Sequence, residues 1–248
     1  MNKHATGNQL RGRDASRIMS TTALHLPSKS LFGFYDTTLG KKVVMALTGM
    51  VLTGFVVGHM AGNLQVFLGP EAFNRYAELL HSSPGLLWGA RTVLLASVIL
   101  HIVSAIQLAL IAKRARPQRY VKLKSTTSSY ASRTMYWSGP ILAAFIVYHL
   151  LHFTVGTAHP TQPFPGYTQA YQNVIAGFKV VPVSLFYIFS MGLLCLHLFH
   201  GVWSMFQSLG LAHPRYTPVL KKLAAGLSVL VAVGFSVVPV AVMLGIVQ

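Results

Sequence analysis

The chain has 248 residues, of which 53% are hydrophobic and only 10% are charged. Soluble domains usually carry about 25% charged residues, so this composition argues against a soluble globular domain and indicates a membrane protein. The net charge of +16 does not indicate a nucleic-acid-binding protein, because the basic residues lie between long apolar runs. Basic residues in that position orient a protein in the bilayer and contact anionic lipid headgroups.

Residues 1–30 are polar and basic and contain no apolar core, so the sequence predicts a flexible cytoplasmic arm rather than a signal peptide. Residues 31–248 are predicted to form one membrane domain. Its apolar segments are long enough to cross ~30 Å of hydrocarbon as helices, and they lack the alternation of a β-barrel. The predicted fold class is therefore all-α, an integral membrane bundle of five transmembrane helices. The spans are 43–67, 86–112, 136–158, 182–207 and 223–246.

The connection between the first two spans has its own periodicity. In residues 70–83, PEAFNRYAELLHSS, apolar or aromatic residues stand at positions 73, 76, 79 and 80. This is helical spacing, so the segment is predicted to form a short amphipathic helix on the membrane surface.

The distribution of lysine and arginine predicts the orientation of the chain. Residues 1–42 hold seven, the connection 113–133 holds seven and the connection 213–222 holds three. The opposite side of the membrane has three in total: Arg75, Arg91 and Lys179. Cytoplasmic connections are enriched in basic residues, so the N-terminus is predicted to be cytoplasmic and the C-terminus to lie on the far side.

Histidine occurs in four of the five spans. Ionisable groups inside a membrane are rare and usually functional. A single histidine could simply form a hydrogen bond with a neighbouring helix, worth about 0.6 kcal/mol, but that explanation is weak for four spans. The histidines are His59 in the first span, His101 in the second, His149 and His152 in the third, and His197 and His200 in the fourth.

The depths of these histidines fall into two levels. His59 lies ten residues before Gly69 and His149 lies ten before His159, so both are about 15 Å below the far surface. His101 lies seventeen residues after Pro84 and His197 lies eighteen after Lys179, so both are about 26 Å below that surface. Each level therefore joins two helices that run in opposite directions.

Two imidazoles at one level suit a six-coordinate haem iron, with one ligand on each face of the porphyrin. No C-x-x-C-H motif is present, so such a haem would be non-covalent and of b type. Zinc would need three or four ligands at one level, and a proton relay would usually add Asp or Glu, which the spans lack. Gly54, Gly58 and Gly62 repeat around His59 and would admit either a flat macrocycle or a closely packed helix.

Five segments in a fixed order carry a family resemblance: GHMAGN with His59, GPEAFNRYAE, LHIVSAIQ with His101, VYHLLHF with His149, and LHLFHGVWS with His197. From about Gly33 to the C-terminus the chain resembles the cytochrome b membrane anchor of succinate dehydrogenase or fumarate reductase, in the five-helix, di-haem form. The resemblance implies that His59 and His149 ligate a distal haem. It implies that His101 and His197 ligate a proximal haem.

The same resemblance implies the setting in which the chain works. It places the chain in a bacterial inner membrane, with a flavoprotein subunit and an iron–sulfur subunit on the cytoplasmic face. Those partners would carry out the succinate chemistry, because this chain has no GxGxxG motif and only one cysteine. The chain itself would be the quinone-reactive subunit, and the two-haem members commonly use menaquinone.

Further polar residues are candidates for binding. Glu78 and His81 could exchange protons with a quinone near the distal haem, or could simply be solvated. Arg91 could bind a haem propionate or a quinone carbonyl, or could reach to the membrane interface. His200 could bind a propionate or orient a ligand, and His152 could do the same nearer the far surface. Structural polar contacts are the alternative for both histidines.

Two other functions agree with parts of the pattern. The cytochrome b subunit of a hydrogenase or formate dehydrogenase also uses paired histidines, but it usually has four spans. A small transporter with structural histidines belongs to another functional class and predicts no haem.

Overall fold

The structure is a computed structural model that describes residues 31–115 and 129–248. The predicted arm 1–30 and residues 116–128 of the basic connection lie outside the described residues. The described chain is helical and contains no strand. Its helices are α1 (Leu31–Asp36), α2 (Thr38–Asn63), α3 (Pro70–His81), α4 (Pro84–Arg114), α5 (Tyr130–Leu150), α6 (Ala170–Lys179), α7 (Val181–Ser208) and α8 (Thr217–Met243).

Five of these helices are long and apolar enough to cross a membrane, which confirms the predicted all-α bundle and a multi-pass membrane protein. They are α2 with a 3-10 extension to Leu68, α4, α5 with a π-helical extension to Val155, α7 and α8. The third span ends before the predicted residue 158, because Gly156 adopts a positive φ of 86°. The fifth begins at Thr217 rather than 223, because the helix continues into its polar flank.

Local sequence explains where the helices begin. Proline occupies the first turn of α3, α4, α7 and α8, where its missing N–H costs no hydrogen bond. The Thr37 hydroxyl oxygen caps α2 by accepting from the Gly40 N–H at 2.9 Å. Ser129 caps α5 by accepting from the Ser132 N–H at 3.1 Å. These caps satisfy backbone donors that the helix itself leaves free.

The outer surface of the bundle is apolar and its helix contacts are lined by small polar residues. On α4, Val93 is 55% exposed and Leu95 is 62% exposed, a pattern that suits contact with lipid. Serine side chains are small and allow close approach of helices, and the hydroxyls of Ser104, Ser184, Ser190 and Ser228 form hydrogen bonds within the bundle. The fully buried serines are Ser104, Ser138, Ser184, Ser190 and Ser228.

The amphipathic helix predicted between the first two spans is present as α3. It buries Phe73 and Ala77 and exposes Glu71 and Arg75, which form an ion pair at 3.2 Å. The structure also contains α6, a helix that the sequence analysis did not predict. The α6 residues that pack into the core recur at helical spacing and are Tyr171, Val174, Ile175 and Phe178.

Helices α3 and α6, with residues 156–169, form a layer that we call the cap. The Tyr171 backbone N–H donates to Asn74 Oδ1 at 2.9 Å, which joins α6 to α3. The Tyr171 hydroxyl donates to the Gln248 carbonyl at 3.1 Å, which joins α6 to the C-terminus. The cap therefore closes the end of the bundle at which α2 and α5 finish.

At the opposite end, Lys41 fixes the short helix α1. Its buried ammonium donates to the carbonyls of Tyr35 at 2.8 Å and Asp36 at 3.0 Å, at the C-terminus of α1. The Tyr35 hydroxyl in turn donates to Gln107 Oε1 on α4 at 3.0 Å. These contacts hold the chain before the first span against the second span.

The contact between α6 and the end of α5 is close enough to require glycine at position 177. A Cβ there would lie 2.9 Å from Cε1 and Nε2 of His152 and 3.0 Å from the Phe153 ring. We expect Gly177→Ala to reduce the free energy of unfolding by about 1–3 kcal/mol, because the buried His152 ring must shift. Thermal unfolding in detergent measures this change.

Gly226→Ala is the matched control. Gly226 lies in α8, and a Cβ at this position would meet no other atom within 4 Å. Alanine favours a helix over glycine, so this variant should be as stable as the parent or slightly more stable. Equal stability of the two variants would contradict the close contact of α6 with α5.

Candidate functional site

His59 and His149 form a pair, the distal pair, across a gap between two helices. Their ring centroids are 5.8 Å apart. His59 lies on α2 and His149 on α5, and these two helices both pack against α7 rather than along each other. The two rings therefore meet in the space that separates α2 from α5.

His101 and His197 form a second pair, the proximal pair. Their ring centroids are 6.3 Å apart. His101 lies on α4, which packs along α2, whereas His197 lies on α7. As at the distal pair, the rings meet between two helices whose backbones are not packed together. The structure thus brings together the same two pairs that the depth argument predicts.

The spacing of both pairs fits a metal ion held between two imidazoles. A metal bonded at about 2 Å to one nitrogen of each ring would separate the centroids by roughly 6 Å. Within residues 31–115 and 129–248, no three His, Cys, Asp or Glu side chains cluster as a metal site. Two facing imidazoles are the donor set of six-coordinate haem iron, so the residues present fit this group.

The tautomer of His101 is set by the backbone. Its Nδ1 lies 3.2 Å from the Met45 carbonyl and 3.3 Å from the Thr48 hydroxyl. Because a carbonyl can only accept, Nδ1 carries the proton and donates it to this group. The lone pair of Nε2 is then available to a metal, and metal-ligating histidines commonly have this arrangement.

His197 has a polar atom that the protein does not satisfy. Its Nδ1 is buried and has no hydrogen-bond partner among the described residues. Buried polar atoms without partners are rare in folded proteins. This supports a role of His197 in binding a group other than a protein side chain.

Aromatic rings surround the distal pair. His59 stacks on Phe55 with centroids 5.2 Å apart and lies 5.7 Å from the Phe235 ring of α8. His149 lies 6.0 Å from the Phe145 ring. The Asn63 amide donates to the His59 carbonyl at 2.8 Å and lies 3.3 Å from the His59 Nδ1. The aromatic rings thus give the pair largely apolar neighbours.

The glycine repeat around His59 separates into two roles. A Cβ at Gly54 or Gly58 would meet no other atom within 4 Å, so the space beside these residues is open. A Cβ at Gly62 would collide with the Tyr76 ring of α3. Gly54 and Gly58 are exposed and leave the surface of α2 beside His59 open, whereas Gly62 serves the packing of α2 against the cap.

His152 does not face the distal pair, although it lies only three residues after His149. The π-helical segment Leu151–Val155 has a wider turn than an α-helix, which rotates His152 away from the face of His149. His152 is fully buried beside Gly177, and its Nδ1 lies 3.0 Å from the Tyr187 hydroxyl. His149 is thus the histidine of the third span that faces His59.

Two residues near the distal pair were missed by the sequence analysis. Tyr187 on α7 places its hydroxyl between His149 and His152, and a lone tyrosine in an apolar run was the only sequence signal. His159 accepts from the Thr161 N–H at 3.1 Å and donates to the Asn173 carbonyl at 3.0 Å. His159 therefore anchors the loop of the cap to α6.

Arg91 and His200 make no direct hydrogen bond to either pair within the described part of the chain. The Arg91 guanidinium carbon is 5.1 Å from the Trp88 ring centroid, a cation–π contact near the start of α4. This contact suits a residue at the membrane interface. His200 is half-buried and lies one turn beyond His197 on α7.

Glu78 and His81 both lie on α3 in the cap. Glu78 is exposed. The His81 ring stacks on Tyr167 with centroids 3.9 Å apart, and its Nδ1–H donates to the Ala77 carbonyl at 2.8 Å. The His81 Nε2 therefore carries a lone pair that can accept a proton.

Comparison of the chain with protein-family models, with curated proteins and with solved structures gives no match. The five spanning helices establish a multi-pass membrane protein. The two histidine pairs are the features of the described residues from which a function can be argued.

Proposed function

We propose that the chain is the membrane-anchor cytochrome b subunit of a succinate:quinone oxidoreductase. It would be the quinone-reactive subunit of a succinate dehydrogenase or fumarate reductase complex. The observation that carries this proposal is the presence of two separate histidine pairs with centroid distances of 5.8 and 6.3 Å. The five segments that resemble the family support the choice of this complex over another haem protein.

The described residues would hold two b haems by four imidazoles. When bound, these haems would carry single electrons between an iron–sulfur subunit and a quinone. The Met45 carbonyl keeps the proton of His101 on Nδ1, and aromatic rings pack beside the distal pair. A non-covalent site needs this preorganisation, because packing and ligation alone hold the group in place.

The partners would bind at the basic end of the bundle. Lys113, Arg114 and Arg215 are exposed there and would face the cytoplasm in a bacterial inner membrane. A flavoprotein subunit and an iron–sulfur subunit docked on this face would supply the dicarboxylate chemistry. The proximal pair would then be the first to exchange electrons with the iron–sulfur subunit.

A quinone would react at the cap. Reduction of a quinone by two electrons takes up two protons. The His81 Nε2 and the Glu78 carboxylate would each take up a proton from water and pass it on to the quinone. Leu79 and Leu80, between them in sequence, are exposed and would contact the apolar tail of menaquinone or another quinone. The cap would thus offer two groups that transfer protons beside an apolar surface.

A reduced-minus-oxidised spectrum of the purified protein tests the proposal. We expect the absorption of b-type haem, two haems per chain, and complete extraction by acidified solvent because no covalent attachment motif is present. A colourless protein would reject the proposal and favour a transporter. Co-purification with hydrogenase or formate dehydrogenase subunits would reject the assigned complex.

Each of the four histidine substitutions should remove one haem, and the two histidines of a pair should affect the same haem. We expect His59→Ala and His149→Ala to abolish one spectral component, and His101→Ala and His197→Ala to abolish the other, because each iron needs both imidazoles. His213→Ala, in the exposed connection before α8, should retain both components. Loss of the distal component in His152→Ala but not in His149→Ala would contradict the distal assignment.

Substitutions in the cap should slow quinone chemistry without removing haem. His81→Phe keeps the stack on Tyr167 but removes the ring nitrogens, and Glu78→Gln removes an acid. We expect each to lower the rate of quinone reduction about tenfold or more, with unchanged haem spectra. Glu71→Gln is the control, since this carboxylate lies on the same helix and is paired with Arg75. Wild-type rates in both cap variants would place the quinone elsewhere.

A further inference from the structure

A hydrogen-bonded chain of three side chains, the half-buried His149 and the buried Tyr187 and His152, runs through the distal site. The Tyr187 hydroxyl lies 3.4 Å from the His149 Nδ1 and 3.0 Å from the His152 Nδ1. The Tyr187 ring meets Phe145 and Phe178 edge to face, each with centroids 5.0 Å apart. This packing keeps the hydroxyl between the two histidines. The proposed function uses His149 but gives no role to Tyr187 or His152.

Ligation of iron would fix the direction of this chain. A histidine that ligates through Nε2 carries its proton on Nδ1, so His149 would donate to the Tyr187 oxygen. The single hydroxyl proton of Tyr187 would then be donated to the Nδ1 of His152. His152 would consequently carry its own proton on Nε2. The tautomers of the two histidines and the orientation of the Tyr187 hydroxyl are therefore coupled.

Of the two ring nitrogens of His152, only Nδ1 forms a hydrogen bond among the described residues. Its Nε2 is buried without a hydrogen-bond partner among the described residues, and the ring is fully buried beside Gly177. An apolar residue would fill the same space without burying an unpartnered nitrogen. The Tyr187 hydroxyl needs a hydrogen-bond acceptor at this position, and the Nδ1 of a histidine provides one. This requirement explains why position 152 is a histidine.

We propose that Tyr187 and His152 are positioning residues that orient His149 and set the reduction potential of the distal haem. This inference rests on the proposed function, in which His149 ligates iron. An acceptor on the Nδ1–H raises the basicity of the ligating nitrogen. A more basic ligand stabilises the oxidised iron, so the chain lowers the potential of the distal haem. The acceptance by His152 strengthens this effect, because hydrogen bonds in series polarise one another.

The test is a redox titration of the two haem components in the intact complex, with the distal component identified by its loss in His59→Ala. We expect Tyr187→Phe to shift the distal potential upward and to leave the proximal potential unchanged. The proximal pair serves as an internal reference, because the His101 Nδ1 bonds to the Met45 backbone carbonyl and not to Tyr187.

Tyr148→Phe is the matched control. The Tyr148 ring lies 5.6 Å from the His152 ring and 6.1 Å from the Tyr187 ring, but its hydroxyl has no hydrogen bond among the described residues. Removal of this hydroxyl should leave both potentials unchanged. A shift in this variant equal to that in Tyr187→Phe would overturn the inference, because any buried tyrosine would then have the same effect.

Two variants of His152 separate hydrogen bonding from packing. His152→Leu removes the acceptor for the Tyr187 hydroxyl and should shift the distal potential upward by less than Tyr187→Phe. His152→Asn can present its amide oxygen near the position of Nδ1 and should return the potential toward that of the parent. The electron paramagnetic resonance signal of the oxidised distal haem should move in the same order, because it reports the orientation of the ligand rings.

The outcomes distinguish this inference from the proposed function. A parent complex without haem would overturn both. A parent complex with two haems, whose distal potential is the same in Tyr187→Phe and Tyr148→Phe, would overturn only the inference. Loss of the distal haem in Tyr187→Phe, with the proximal haem retained and Tyr148→Phe intact, would support the positioning role.

Discussion

The constraint on which the bundle depends is the cost of placing imidazoles in hydrocarbon. A buried polar ring must be hydrogen-bonded or ligated, or it destabilises the span that carries it. In each pair the rings meet between helices that do not pack along each other, with centroids about 6 Å apart. Helices α2 and α7 each provide one histidine and also pack together, so they form the core around which two spaces open.

The five spans and the two histidine pairs can be predicted from hydropathy and residue spacing along the sequence. Hydropathy locates the five spans, and a rise of 1.5 Å per residue assigns His59 with His149 and His101 with His197. The structure brings these rings together. Helix ends are less accurate, because apolar residues mark the bilayer while capping residues such as Thr37 and Ser129 mark the helix.

The elements that sequence reasoning missed depend on contacts between distant segments. Helix α6 lies in a connection too polar for a span, and its hydrogen bond to Asn74 joins residues far apart in the chain. The π-helical turn after His149 has no local sequence signature, yet it directs His152 toward Tyr187 instead of His59. Counting residues along the third span assumes a regular α-helix, in which His152 would lie near the same helix face as His149. Tertiary packing of Gly177 against that turn decides otherwise.

The two pairs differ in what supports their rings, and this difference has a functional meaning. The His101 Nδ1 is held by a backbone carbonyl, which no side-chain substitution can remove. The His149 Nδ1 is held by a tyrosine hydroxyl, which itself depends on a second histidine. A hydrogen bond to the backbone keeps the environment of a histidine constant. Hydrogen bonds to side chains can be changed by single substitutions. In the proposed function a quinone would react beside the distal pair, so the ligand whose support is adjustable would lie where the haem potential has to match that of the substrate.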